Sequence, residues 1–171
     1  MRSRETVRVL LFNSQNQLLL MKISDPKVAD PTKPWLRSPF WVTLGGKIEQ
    51  GEDLMTAAGR EIAEETGLHD VVIGPVVWFG EQVSHSTGEA TLLKETFVIA
   101  RTGDMRLTDE QWTIEERKAI VEMRWWPIDE LELTSETILP SVLVKLIRRV
   151  SRGDRAAGPH VISLTAPPHQ L

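Results

Sequence analysis

Short apolar runs with strand-like spacing dominate the first two thirds of the chain. Strands are predicted at 6–13, 17–23, 40–46, 70–83, 90–100 and 121–126. The first two runs are joined by polar turn residues, which predicts a hairpin. Helical spacing is found at 53–66, at 113–119 and, with an amphipathic pattern, at 138–150. This succession predicts a mixed α/β domain built in layers.

Proline marks two parts of the chain that do not follow these patterns. Residues 24–39 contain four prolines, a density that favours a long ordered loop over a helix or a central strand. Residues 151–171 contain three prolines and two glycines and are predicted to be a C-terminal tail. The sequence therefore predicts one domain over 1–150 followed by a tail over 151–171.

Composition narrows the class of protein. The formal net charge of −4 argues against an extended nucleic-acid surface, although it leaves nucleotides open as ligands. The chain has no cysteine, which excludes disulfides, thiolate metal ligands and a cysteine nucleophile. The first apolar run is too short for a signal peptide, and no run reaches the ~18 residues of a membrane span. We therefore expect a cytoplasmic protein without membrane contact.

The segment REIAEETG at 60–67 concentrates three carboxylates on adjacent turns of the predicted helix. At about 100° per residue, Glu61 and Glu65 fall inside the apolar stripe of the helix, and Glu64 borders it. A solvated charged face is the ordinary interpretation of such a cluster, but these carboxylates share the sector that should be buried. Burial of unpaired carboxylates is costly, and a divalent cation would neutralise them. Mg²⁺ or Mn²⁺ suits carboxylate oxygens.

The residues around this helix support a metal site. Gly45 and Gly46 allow a closely approached backbone, and Asp53 is a plausible helix N-cap. Glu52 is close enough in sequence to reach the same cluster. Arg60 lies four residues before Glu64 and beside Glu61, so it can orient carboxylates and balance their charge.

Together these residues form a recognisable pattern. Gly46 is followed after five residues by Glu52, and after seven more by REIAEETGL at 60–68. This 46–68 segment matches every defined position of the Nudix box, so the chain resembles the Nudix hydrolase family. The strand layout from about residue 4 to about 150 is also similar to the Nudix fold. The resemblance implies an α/β/α sandwich with a mixed β-sheet, and a metal-dependent hydrolase that cleaves the diphosphate linkage of a nucleoside diphosphate joined to a group X.

The resemblance also implies roles for the residues of the box. The implied metal-binding residues are Gly46, through its carbonyl, Glu52, Glu61, Glu64 and Glu65. Glu61 or a neighbour would help to deprotonate the attacking water, Glu64 would share in catalysis, and Arg60 would orient the glutamates. Some family members use a further glutamate before the last strand. Glu116, and after it Glu115, are the candidates for that role, the alternative being a short solvated helix.

The sequence is less informative about the substrate. Trp35, Trp41 and Lys47 are the candidate substrate-binding residues, although a tryptophan more often packs in a core. A nucleoside triphosphate pyrophosphatase of the MutT type is an alternative to hydrolysis of a nucleoside diphosphate linked to X. A nucleotide-sensing domain without hydrolysis is a second alternative, which the complete set of box glutamates disfavours. The expected partner is a nucleotide-like small molecule, and a homodimer is possible.

Overall fold

The computed structural model describes residues 1–25, 33–34, 39–85, 88–154 and 159–167. Within these ranges the strands are β1 Arg2–Phe12, β2 Leu18–Ile23, β3 Phe40–Val42, β4 Leu44–Lys47, β5 Val71–Ser84, β6 Thr91–Thr102, β7 Ile120–Trp126, β8 Ile138–Leu139 and β9 His160–Val161. The helices are α1 Leu54–Thr66, α2 Ile114–Ala119, α3 Ile128–Leu133 and α4 Leu143–Ser151.

One mixed sheet contains the nine strands found in the described ranges, and β1 is at its centre. Its main path runs β8-β3-β2-β1-β6-β5-β9, with β4 paired to β1 and β7 paired to β2. β1 is antiparallel to β2 and β4 but parallel to β6. The predicted hairpin of the first two strands is therefore confirmed. The central strand β1 also pairs with β4, the strand that precedes α1.

The alternation of side chains along β1 explains the layers on either side of the sheet. Val7, Val9 and Leu11 point into a core shared with α1, where Ala57, Ala58 and Ile62 are fully buried. Leu10 and Phe12 point into the opposite core, which α3 and α4 cover. The sheet thus lies between helices on both faces, and the predicted α/β/α sandwich with a mixed β-sheet is confirmed.

Three elements differ from the sequence-based prediction. The predicted strand 40–46 is two strands, because β3 pairs with β2 and β8 whereas β4 pairs with β1. The predicted helix 138–150 begins only at Leu143, since Pro140 follows the short strand β8 and proline cannot continue a helix or a strand interior. Helix α3 was not predicted; Pro127 precedes it and provides no side-chain cap, in contrast to Thr113 before the equally short α2.

Part of the predicted tail packs against the domain. β9 adds to β5 as a parallel strand, and the amide of Ile162 donates to the carbonyl of Phe79 at 2.8 Å. Ile162 and Leu164 are only 8% and 7% exposed and belong to the core beneath α4. Residues 159–167 therefore contribute to the hydrophobic core of the domain.

The proline-rich segment 24–39 lies mainly outside the described residues, and so does Trp35 within it. In the part of the chain that is described, no helix is both long and apolar enough to cross a membrane.

Candidate metal and catalytic site

Helix α1 presents buried carboxylates of the acidic segment to the glycine pair of β4, which lies against the central strand β1. The helix begins after Asp53, whose carboxylate accepts from the amide of Thr56 at 2.8 Å, and ends at Gly67 with φ +76°. Glu61 and Glu65 are only 9% and 8% exposed, whereas the side chain of Glu64 is 44% exposed. The prediction that carboxylates share the buried face of the helix is confirmed for Glu61 and Glu65.

The guanidinium of Arg60 forms hydrogen bonds with three glutamates of the site. Its Nε and Nη2 donate to the two oxygens of Glu52 at 2.8 and 2.9 Å. Its Nη1 donates to Glu61 at 2.8 Å and to Glu64 at 3.2 Å, and its Nη2 also reaches the carbonyl of Lys47 at 2.9 Å. The predicted orienting geometry of Arg60 is therefore present. The acidic neighbours raise the pKa of Arg60, so the guanidinium stays charged.

Glu52 is more closely tied to Arg60 than to the helix carboxylates. Both of its oxygens accept from the guanidinium, and one also accepts from the amide of Glu49 at 3.0 Å. The hydrogen bond from Arg60 lowers the pKa of Glu52 to about 2. This pairing favours a role for Glu52 in positioning Arg60 over its predicted role as a metal ligand.

The two glycines of β4 bring backbone against the buried carboxylates. The amide of Gly45 donates to Oε2 of Glu65 at 2.9 Å, and the backbone of Gly45 has φ +139°. A Cβ on Gly45 would lie 2.1 Å from the carbonyl oxygen of Val7 in β1, so only glycine fits there. A Cβ on Gly46 would lie 2.3 Å from Oε1 of Glu61. Gly45 therefore allows β4 to lie close to β1, and Gly46 makes the space that the Glu61 carboxylate occupies.

Burial and mutual repulsion make the helix carboxylates difficult to ionise. Burial raises the pKa of Glu61, and Arg60 only partly opposes this rise, while Glu64 and Glu116 add to it. Burial also raises the pKa of Glu65 well above its ordinary value, against the opposing Gly45 hydrogen bond, and Glu61 and Glu116 raise it further. A positive charge placed among these groups would therefore be strongly favoured.

Glu116 approaches the same carboxylates from α2. The hydroxyl of Thr113 caps this short helix by accepting from the amide of Glu116 at 3.2 Å. Oε2 of Glu116 is buried and has no hydrogen-bond partner among the described residues, whereas Glu115 is exposed. Of the two candidates, the structure thus brings Glu116 to the site and leaves Glu115 in solvent.

The connection before α2 is attached to α1 by a tryptophan. The indole Nε1 of Trp112 donates to the carbonyl of Glu65 at 2.7 Å, and the amide of Thr108 donates to the carbonyl of Thr66 at 2.8 Å. These bonds hold the segment leading to Glu116 against the end of the acidic helix. In the sequence, Trp112 is one of six tryptophans, and no local pattern signals this contact.

The donor set fits a hard divalent cation. Glu61, Glu64 and Glu65 offer carboxylate oxygens on one helix, and Oε2 of Glu116, within electrostatic range of Glu61 and Glu65, is buried without a hydrogen-bond partner among the described residues. Within the described residues, no three acidic or histidine side chains already converge as a complete set of ligands. Arg60 instead accounts for part of the compensating charge.

The predicted substrate-binding residues lie in different environments. Trp41 is 1% exposed and packs edge to face on Trp126 at 5.2 Å, with Nζ of Lys22 5.4 Å from its ring centroid. Its burial favours a packing role over stacking on a base. Lys47 is exposed near Glu49, with 3.6 Å between its Nζ and the carboxylate, so its ammonium remains accessible beside Gly46. Trp35 lies outside the described residues.

Solved structures show how widely this fold is shared. A MutT protein from Methanosarcina mazei Go1 is 19% identical, with a TM-score of 0.56, over 90% of this chain and 96% of that one. A UDP-X diphosphatase is 16% identical, with a TM-score of 0.59, over 95% and 68%. An ADP-ribose pyrophosphatase from Streptococcus suis is 13% identical, with a TM-score of 0.59, over 93% and 98%. At these identities the likeness concerns the fold.

Sequence comparison establishes the family. None of the curated protein sequences compared with the chain matches it. The sequence model of the NUDIX domain, in contrast, matches residues 2–148, which include the glycine pair, the acidic helix and Glu116. The chain therefore belongs to the Nudix family and is an enzyme of the pyrophosphohydrolase type.

Proposed function

We propose that this enzyme is a divalent-cation-dependent hydrolase that cleaves the diphosphate linkage of a nucleoside diphosphate joined to a group X. The observation that supports this most directly is the burial of Glu61 and Glu65 on α1 beside the glycine backbone of β4, within electrostatic range of Glu116 from α2. Such a group of buried carboxylates is costly unless a cation shares the site. A diphosphate, which is itself anionic, needs the same compensation.

Glu61, Glu64 and Glu65 would hold the cation, Mg²⁺ or Mn²⁺, with the carbonyl of Gly46 as a further oxygen donor. A divalent ion bound there supplies Lewis-acid charge, which screens phosphate oxygens and lowers the pKa of a bound water. The pKa values of Glu61 and Glu65 are raised, so a bound cation would stabilise their ionised forms.

The protein groups then divide the remaining work. Arg60 holds Glu61 and Glu64 in place, and Glu52 holds Arg60 through its two hydrogen bonds. Oε2 of Glu116 is unpaired among the described residues and can accept a proton from the attacking water. Glu116 is therefore proposed as the general base, and Glu61 is the alternative. Lys47 is proposed to meet a phosphate oxygen, which its exposed ammonium supports.

The group X is the part of the substrate that the site residues leave open. The structural neighbours include a UDP-X diphosphatase, an ADP-ribose pyrophosphatase and several MutT proteins. We propose a nucleotide sugar or an ADP-ribose-like compound, with a nucleoside triphosphate as the alternative. The cytoplasmic location and the possible homodimer stay predictions from the sequence.

A substrate panel tests the proposal. The protein is incubated with nucleotide sugars, ADP-ribose, dinucleoside polyphosphates and nucleoside triphosphates, each with Mg²⁺, with Mn²⁺ and with chelator. Expected products are a nucleoside monophosphate and a phosphorylated X from one compound class, lost on chelation. The variant Glu61→Gln should lose turnover while it keeps the wild-type circular dichroism spectrum.

Three other outcomes of the panel would each change the proposal in a different way. Pyrophosphate released from triphosphates alone would replace the proposed substrate with that of a MutT-type enzyme. Nucleotide binding without turnover of any compound would favour a sensing domain. Full activity in chelator would contradict the proposed role of the carboxylates.

A further inference from the structure

Beside the carboxylate site, β1 and β6 carry a partly buried ion pair that the proposed reaction does not use. Nε of Arg8 donates to Oε2 of Glu95 at 3.1 Å, and Glu95 is 5% exposed. In the parallel pairing of the two strands, Glu95 lies opposite Thr6, so it is a diagonal neighbour of Arg8 on the same face of the sheet. A buried pair of this kind adds little net stability, because desolvation offsets its attraction.

Two hydrogen bonds fix the carboxylate of this pair. Nε2 of Gln82 in β5 donates to the other oxygen, Oε1, of Glu95 at 3.2 Å. Nζ of Lys33 donates in turn to Oε1 of Gln82 at 2.7 Å. Both oxygens of Glu95 are therefore engaged from different sides, and the Nε edge of the Arg8 guanidinium is held in one orientation.

The opposite edge of that guanidinium has no partner among the described residues. Among the residues that the structure describes, neither terminal amino group of Arg8 makes a hydrogen bond, and the side chain is 27% exposed. A planar guanidinium with one edge fixed by a carboxylate can present its remaining N–H groups to a phosphate in a defined direction.

The position of Arg8 relates this edge to the carboxylate site. Arg8 pairs across β1 and β4 with Gly45, whose amide donates to Glu65. Burial tends to lower the pKa of Arg8, but Glu95, and then Glu65 and Glu61, raise it overall. The guanidinium is thus a permanent positive charge close to the helix carboxylates without a hydrogen bond to them.

We propose that Arg8 binds a phosphate oxygen of the diphosphate substrate and thereby contributes to selection for it, and that Glu95 and Gln82 are positioning residues for Arg8. This inference rests on the proposed function, since it assigns a further contact to the same substrate. The shared chemistry is recognition of a diphosphate by a guanidinium, whichever group X is attached. If the ion pair served only the fold, changing it would alter stability but not the affinity for phosphates.

The test uses the full chain, the compound that the panel identifies and inorganic pyrophosphate as a simple probe. The variants are Arg8→Lys, Glu95→Gln and the double variant Arg8→Gln with Glu95→Gln, which removes both buried charges together if a single change prevents folding. Arg101→Lys is the matched control, since Arg101 also lies in the sheet but bonds to Asn16 and to the carbonyl of Ser151. KM, kcat and the Kd of pyrophosphate with Mg²⁺ are measured.

Loss of a charge-assisted hydrogen bond should raise KM and the Kd of pyrophosphate by roughly ten- to a hundredfold in Arg8→Lys and in the double variant. Their kcat should stay within about threefold, the effect in Glu95→Gln should be smaller but in the same direction, and Arg101→Lys should match the wild type. Active variants with the wild-type KM and Kd, or with a fall in kcat alone, would overturn the assignment of Arg8. A wild-type protein that neither hydrolyses the panel nor binds pyrophosphate would overturn the proposed function, and this inference with it.

Discussion

Replacing Gly46 with alanine tests the geometry of the site, because the Glu61 carboxylate occupies the space where a Cβ would lie. A Cβ at this position would lie 2.3 Å from Oε1 of Glu61 and 2.6 Å from its Cδ, whereas ordinary contact begins at 3.4 Å. In Gly46→Ala the carboxylate must therefore withdraw by about 1.1 Å. A misplacement of about 1 Å can cost a catalytic site roughly a hundredfold in rate, equivalent to ~2.7 kcal/mol.

Gly46→Ala should accordingly lower kcat/KM about a hundredfold with little change in Tm, because the end of a glutamate side chain moves more easily than backbone. The control is Gly59→Ala in the interior of α1, where the new Cβ would meet only Cδ1 of Ile73 at 3.7 Å. That variant should keep its activity and gain about 0.5–1 kcal/mol from helix propensity, which raises Tm by about 2 °C.

Steady-state kinetics with Mg²⁺ and thermal unfolding of both variants check this reasoning. If Gly46→Ala kept kcat/KM within threefold of the wild type, the position of the Glu61 carboxylate would not limit catalysis. A loss of activity in Gly59→Ala of the same size would instead indicate a general disturbance of α1.

The remaining predictions concern two other carboxylates of the site. Glu65 has a folded-state pKa raised above its ordinary value of 4.5, so its ionisation destabilises the fold as pH rises from about 4.5 toward that raised value. In chelator, Glu65→Gln should therefore have a higher free energy of unfolding than wild type at neutral pH but not near pH 4. Urea unfolding of both proteins across this pH range measures the difference. A difference in stability that did not change with pH would contradict the raised pKa of Glu65. Glu116→Gln should lower kcat by roughly 10²–10⁴-fold, whereas Glu115→Gln, one residue away and exposed, should leave kcat unchanged; equal kinetics for the two variants would remove Glu116 from the reaction.

The local pattern of the sequence determined the acidic helix and its content. The positions of Glu61 and Glu65 relative to the apolar residues follow from helical periodicity, which depends only on spacing along the chain. Their burial at 9% and 8% exposure agrees with that expectation. The N-cap Asp53 and the family pattern at 46–68 are equally local, since both consist of neighbouring residues.

Tertiary structure decided what these residues meet. The split of 40–46 into β3 and β4, the burial of Oε2 of Glu116 and the contact of Gly46 with Glu61 all depend on the packing of distant segments. The pairing of Arg8 with Glu95, 87 positions apart, likewise arises from the parallel register of β1 and β6. Periodicity carries no information about such contacts, because they result from the packing of the whole chain around one sheet.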